Sequence, residues 1–364
     1  MCKENKRFKL NGKVIFNVAV LAISAYLIIY FFISEDGLID LLSTPNSFNP
    51  WWILVAFAVF EFNTIIDSIV TLIFVRSRYK NFKFIDALKV SFVGVFFSAI
   101  TPSSTGGQPM QLYLMSKKNI NVGFGSACMT QKFIVYQIIT TVFSVFAVIT
   151  QFEHFKIALT GPLSTAFVFI GFFVQLLMTA LFLVLSFCKK ITHSILGLIE
   201  KLFNKLKFIK NPQRKMERLY SEVEMFHQGN KALFTNPTIL ISTYLLVIIQ
   251  VIAILSIPYF IYISFGMPEI AIANGQAPLN FYESICIQSF VLFTSNLIPL
   301  PGASGGAELA FTLYFSTFFV VGGISKIKPA ILLWRFVTYY LSIVVSAPFS
   351  YFTKQSDTPN KPGK

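Results

Sequence analysis

Charge is scarce in this sequence: Asp, Glu, Lys and Arg together make up 13% of 364 residues. A water-soluble domain carries roughly 25%, so a water-facing surface around a chain of this size is excluded. Cysteine is almost missing as well. Cys2, Cys128, Cys188 and Cys286 stand far apart, without the spacing of a metal site, a redox pair or a disulfide framework. Histidine is rarer still. His154, His193 and His227 are expected in loops or at their edges, and no His-Glu-x-x-His or Asp-x-Asp pattern occurs. Membrane enzymes acting on lipids need clustered acids, histidines or a metal, so the sequence is read as a non-enzyme, with no cofactor. A Gly-x-x-x-x-Gly-Lys-[Ser/Thr] loop is lacking too, leaving a gradient, a partner or no energy source to drive any transport.

What is abundant is apolar. Hydrophobic residues make up 55% of the chain and Phe alone contributes 42. Long apolar runs cover 14–33, 51–75, 124–150, 162–188, 238–265 and 329–352. At ~1.5 Å per residue each can cross a ~30 Å hydrocarbon core. The fold expected is an all-α polytopic membrane protein with about six full transmembrane helices. The run Val14–Ile33 is expected to span rather than to act as a cleaved signal peptide, because no small-residue cleavage site follows it.

The net charge of +14 is distributed between these runs. Lys3, Lys6, Arg7, Lys9 and Lys13 mark a basic N-terminus, residues 1–13, and place it in the cytoplasm by the positive-inside rule. Glu35, Asp36 and Asp40 follow on the outside; Arg76, Arg78, Lys80 and Lys83 return the chain to the inside. Segment 189–234 holds ten bases against four acids and is also inside, leaving Lys156, Lys326 and Lys328 outside. No soluble basic module is present, so nucleic acid is not the expected partner. Within this segment Ile191, Ile195, Leu198, Leu202 and Leu206 recur at helical spacing among Lys201, Lys205 and Lys207. That is the pattern of an amphipathic helix on anionic headgroups at the cytoplasmic face. Residues 14–352 read as one membrane domain, and 353–364 as a disordered tail.

Two regions, 84–117 and 283–322, are apolar but broken by Pro and Gly. Unpaired backbone cannot face lipid, so such breaks lie inside protein or line a wet cavity. Both read best as re-entrant helical hairpins that enter and return on the same side, with full crossings as the alternative. The first contains Pro102, Ser103, Ser104, Thr105, Gly106, Gly107 and Gln108; the second contains Pro301, Ser304, Gly305, Gly306 and Glu308. Aligned on proline, both are Pro-x-x-[Ser/Thr]-Gly-Gly. Proline stops a helix, paired glycines allow positive φ and close backbone approach, and hydroxyls cap what restarts. With one hairpin entering from inside and the other from outside, the pair forms an inverted repeat, the arrangement that places transporter substrate sites at the midplane. A helix restarting after either glycine pair directs its positive end at the break, suited to an anionic group.

Ionisable residues inside spans mark function or structural pairing. Glu61, Asp67 and Glu308 are candidates for coupling. Arg335 is a candidate partner of Glu308 or of a lipid phosphate. Lys132 and Glu283 are read as interfacial. Glu217, Glu222 and Glu224 are read as a solvated face.

The stretch Thr101–Ile120, TPSSTGGQPMQLYLMSKKNI, resembles the signature of the flippase-like membrane domain of lysylphosphatidylglycerol synthases. Asn296–Phe311 repeats the pattern, and Trp334–Tyr340 resembles the last helix of that domain, where an Arg and a Tyr pair recur. The resemblance covers about residues 14–350. It implies translocation of aminoacylated phosphatidylglycerol between leaflets of the cytoplasmic membrane. Those synthases continue into a soluble aminoacyl-transfer domain that does not follow here, so transferase chemistry is not carried over. The function expected is a lipid transporter for an anionic, modified or lipid-linked substrate. A small-solute transporter and a lipid-modifying enzyme are the alternatives. A second copy of the chain or a separate lipid-modifying enzyme are the further partners considered.

Overall fold

The computed structural model describes residues 47–101, 104–158, 162–205, 211–295 and 305–351. The N-terminal basic segment, the expected span 14–33, Pro102, Ser103, Pro301, Ser304, Leu206, Lys207 and the tail lie outside the described residues.

Almost everything described is helical. In chain order the elements are α1 Pro50–Arg76, α2 Phe84–Ile100, α3 Gly107–Lys117, α4 Val122–Thr150, α5 Phe152–Ala158, α6 Pro162–Phe187 and α7 Lys189–Lys205. Then follow α8 Pro212–Thr235, α9 Pro237–Ser264, α10 Met267–Ala273, α11 Phe281–Ser295 and α12 Gly306–Phe319. A two-strand ribbon, β1 Val320–Val321 with β2 Ile324–Ser325, leads to a last span. That span is α13 Ile327–Arg335, a π-helical segment Phe336–Tyr340 and α14 Leu341–Tyr351. Five helical stretches are long and apolar enough to cross a membrane: α1, α4, residues 169–187 of α6, α9 and the last span. They coincide with five of the six expected spans.

Local sequence explains where the spans start. Asn49 caps α1 by accepting from Trp51 N at 3.0 Å, and Asn236 caps α9 by accepting from Ile239 N at 3.1 Å. In both cases Pro follows at the first helical position, where its missing N–H costs nothing. Asn121 caps α4 through Phe124 N at 3.0 Å, and Glu222 of α8 adds a second acceptor, taking Gly123 N at 2.7 Å. Glu222 is therefore not part of a solvated face; it closes the N-terminus of a span.

The bundle is apolar outside, and its apolar core also holds polar groups. Leu54 and Phe62 of α1, Val142 and Phe146 of α4, Phe169 and Phe173 of α6, and Ile241 and Leu245 of α9 are exposed. Thr64, Ser68, Ser91, Gln131, Gln288, Arg335 and Ser346 are buried. Lipid is as apolar as Leu, so helix contacts inside it rest on small residues and interior polar groups. Gly123 and Ala127 of α4 pack against α8 so closely that a Cβ on Gly123 would run into the Glu222 backbone, while one on Gly229 would lie 2.8 Å from Ala127 Cβ.

Two ends of the bundle are defined by contacts. At one end, Tyr79 Oη accepts from Asn121 N at 3.0 Å, and the Arg78 guanidinium lies 5.7 Å from the centre of the Phe124 ring. This is the basic end. At the other, Asn49 N donates to Ser264 O at 2.6 Å, and Lys326 lies 5.9 Å from the Phe265 ring.

Segment 189–234 departs from expectation. It is two helices, not one surface segment. In α7, Ile191, Ile195, Leu198 and Leu202 form an exposed apolar stripe, as the periodicity predicts. In α8, Met216, His227, Asn230 and Leu233 are buried against the spans, and Asn230 Oδ1 accepts from Gln131 of α4 at 2.9 Å. The three histidines also sit within helices α5, α7 and α8 rather than in loops. The charged loops proposed from composition are short helices with one buried face.

Candidate functional site

Both glycine-bearing regions are helical hairpins, and each opens and closes at the same end of the bundle. For α2 and α3 the proof is at the base, where Lys118, just past α3, pairs with Asp86 at the start of α2 at 2.9 Å. The two helices run antiparallel in close contact. A Cβ on Gly94 would run into the Gln111 amide, and one on Gly107 would lie 2.8 Å from the Gly94 carbonyl oxygen. For α11 and α12 the base lies at the opposite end. His154 of α5 touches both arms, with Nε2 3.0 Å from Glu283 Oε1 and its ring 5.5 Å from that of Phe318. Glu283 is thus a partner of His154 near the base of this hairpin.

The tips are built differently. In the first, Thr101 Oγ1 donates to Phe97 O at 2.6 Å and accepts from Gly106 N at 2.8 Å, so one hydroxyl joins the end of α2 to the start of α3. The left-handed residue is Ser104, with φ 54°, while Gly106 has φ −78°. Gly106 and Gly107 are needed for close approach, not for positive φ: a Cβ on Gly106 would lie 2.6 Å from Thr101 Cγ2. Of the two uses that a glycine pair allows, the first tip takes close backbone approach. In the second tip Gly305 does take φ +85°, a conformation that disfavours any side chain.

The last span collects both tips. Arg335 Nε donates to Glu308 Oε1 at 2.6 Å, joining α13 to the first turn of α12. One turn further, Tyr339 Oη donates to Ala99 O at 3.0 Å, in the last turn of α2. The Arg335 guanidinium lies 5.3 Å from the Tyr339 ring centre, a cation–π distance. The upper half of the span packs on the second hairpin through Phe311 and Trp334, rings 5.0 Å apart. The lower half packs on the first through stacked Phe92 and Phe349, 4.4 Å apart. Tyr339 stands twelve residues from each end of the span, about 18 Å from either. The helix is π-helical here, a form that recurs at functional sites.

Around this junction the first tip presents polar surface: Ser104, Thr105 and Gln108 are exposed, and Gly107 is buried. Arg335 is buried and Glu308 is partly exposed, with its Oε2 lacking a hydrogen-bond partner among the described residues. The two helix starts are electrostatically unlike. Glu308 already places a carboxylate in the first turn of α12, whereas the first turn of α3 holds no acid. Of the two helix starts, α3 is the one whose positive end has no acid of its own.

Of the expected site residues, Ser104 to Gln108, Gly305, Gly306, Glu308 and Arg335 belong to the two tips and the span that joins them. Asp67 does not. Its Oδ2 accepts from Lys132 Nζ at 2.8 Å and from Ser91 Oγ at 2.6 Å, about 12 Å below the tip along α2. Lys132 also donates to Thr71 at 3.0 Å, so it is a partner inside the bundle, not an interfacial charge. Glu61, on α1, keeps Oε2 without a partner among the described residues. Thr101 and Tyr339 lie in stretches that carry the family resemblance, and no role was expected of either. Thr101 stood next to the first proline, and Tyr339 one helical turn after Arg335.

An almost wholly helical bundle with an apolar exterior and five helices long enough to cross a bilayer defines a polytopic membrane protein. The chain belongs to the family described as the lysylphosphatidylglycerol synthase TM region, which it matches over residues 17–346. It is 25% identical over 281 residues to a UPF0104 membrane protein of Archaeoglobus fulgidus, covering 74% of this chain and 77% of that one. It is 23% identical over 341 residues to the uncharacterized protein MG306 homolog of Mycoplasma pneumoniae, covering 91% and 85%. MG306 of Mycoplasma genitalium is 23% identical over 339 residues, with 90% and 85% covered.

Proposed function

We propose that this protein moves a membrane lipid with an anionic or modified headgroup between leaflets, with the headgroup passing the junction of the two hairpin tips. The observation that carries this reading is the meeting of both tips on one turn of the last span through Arg335–Glu308 and Tyr339–Ala99. Hairpins entering from opposite ends act as an inverted repeat, which lets the site face either side in turn. A headgroup phosphate binds between the start of α3 at Gly107 and Gln108 and the Arg335 guanidinium, exchanging for Glu308. Glu308 resets the arginine once the lipid leaves. The basic end is the cytoplasmic one, in the cytoplasmic membrane. The reading is of transport without covalent chemistry.

The test is translocation of fluorescent lipids in proteoliposomes, with phosphatidylglycerol, aminoacylated phosphatidylglycerol and a neutral glycolipid as substrates. Wild type is compared with Gly107→Leu, which meets the Gly94 carbonyl, and Arg335→Gln. Headgroup-selective movement lost in both variants supports the proposal. Folded protein that moves none of these lipids but accumulates a soluble solute would replace it with solute transport, and a lipid chemically changed on incubation would replace it with an enzyme.

A further inference from the structure

A second pocket lies away from the hairpins, at the basic end, where α6 gives way to α7. It is an open cavity of about 480 Å³ between the end of α6 and α8. Its walls are of two kinds. Leu183, Phe187 and Phe234 form an apolar side, with the two phenylalanine rings 5.1 Å apart and both exposed. Lys189, Lys231 and Ser186 form a polar side.

The polar side has an imbalance. Lys231 makes no ion pair with any described residue, while Lys189 Nζ is held by Glu224 at 2.8 and 3.0 Å. Two cations therefore share one acid. Ser186 is 1% exposed and its hydroxyl has no hydrogen-bond partner among the described residues. A buried hydroxyl left so is unfavourable, and a ligand's polar group at this wall would satisfy it. The backbone beneath is fixed: His227 Nδ1 lies 3.0 Å from Ser186 O and Nε2 lies 2.6 Å from Thr192 Oγ1 of α7. The exposed apolar stripe of α7 sets the level of the membrane surface at the mouth of this pocket.

We infer that the pocket binds the phosphate of an anionic phospholipid. Lys231 meets the phosphate first, Ser186 donates to it, and the upper acyl chain lies on Leu183, Phe187 and Phe234. An apolar wall continuous with a cationic one fits a lipid better than a soluble phosphoester, because the soluble ligand leaves the phenylalanines uncovered. All the lining residues belong to α6, α7 and α8, so this site stands or falls independently of the transport reading.

The test is native mass spectrometry of the full chain in detergent, titrated with phosphatidylglycerol, phosphatidylcholine or inorganic phosphate. Phosphatidylglycerol is expected to bind at least about fivefold more tightly than phosphatidylcholine, the effect of one cation near an anionic headgroup. Lys231→Gln should remove that preference and Lys231→Arg should keep it. Glu224→Gln, which releases Lys189, should tighten binding. Equal retention of both lipids by wild type, or a preference unaltered in Lys231→Gln, would overturn the proposal. Displacement of phosphatidylglycerol by low-millimolar inorganic phosphate would overturn the lipid and assign the site to a soluble phosphoester.

Discussion

Arg335 is a buried cation with a single carboxylate at 2.6 Å, and its cost depends on that carboxylate. Removing one partner of a buried pair leaves an uncompensated charge, worth about 3–5 kcal/mol. Glu308→Gln is therefore expected to lower the unfolding midpoint markedly in a thermal melt. The double variant Glu308→Gln/Arg335→Met should recover most of that loss while lipid movement stays absent. Recovery of both together would mean that the pair only holds helices. Tyr339→Phe is a milder change, since it strips one donor from the Ala99 carbonyl. A loss of about 1 kcal/mol is expected, the scale of interhelical hydrogen bonds in membranes, measured by the same melt. Of these groups, Glu308 and Arg335 could be read from the chain because a charge inside an apolar run is conspicuous. Tyr339 was marked only by the family resemblance, and its bond to Ala99 was not legible, since a tyrosine and a backbone carbonyl 240 residues apart carry no mark of each other.

At the scale of elements, the matched Pro-x-x-[Ser/Thr]-Gly-Gly pattern announced two helix breaks, yet not how each is made. The first break uses Thr101 as a clasp and Ser104 as the left-handed residue; the second uses Gly305. Sequence identity at the glycines concealed that difference because glycine serves equally for tight packing and for positive φ. Thr101→Val keeps the shape of the side chain and removes both hydrogen bonds. It should raise hydrogen exchange at Gly106 and Gly107, whereas Thr101→Ser should leave it low. A different prediction concerns α7, tied to α8 by Lys189 and Glu224. The Lys189 ammonium holds the Glu224 carboxyl below the usual carboxylate range. A lowered folded pKa means that the tie is fully present above the ordinary carboxylate pKa of about 4.3 and is lost as pH falls through the folded value. Protection factors in α7, with the intrinsic pH dependence of amide exchange divided out, are expected to stay flat from neutral pH down to that range and to fall only below it. Glu224→Gln should show the lower protection at neutral pH and should match the wild type below that range.

For the whole molecule, the alternation of apolar runs with basic segments was enough to find five spans and two hairpins, because lipid imposes length and polarity together. The segment 189–234 was less legible. Its charge obeyed the positive-inside pattern, but the burial of His227, Asn230 and Leu233 depends on Gly123 and Ala127 of a distant helix. Opposite entry of the hairpins makes a global prediction. In a chain without its native cysteines, a cysteine at Lys80 or Lys117 should react with a membrane-impermeant maleimide from one side only. One at Glu269 or Ile324 should react from the other side only. Labelling of all four from a single side would refute the arrangement.

The turn from Arg335 to Tyr339 ties two hairpins to one short stretch of helix, about 5.4 Å apart along its axis. Such a layout works as an airlock. A tilt or rotation large enough to release Glu308 on one side also strains the Tyr339 clasp on the other, so the two doors cannot swing freely of each other. On the proposed function the expected consequence is tightness: lipid would pass the junction without opening a leak for ions. A single disulfide that pins either tip to the last span should then stop lipid movement in both directions at once.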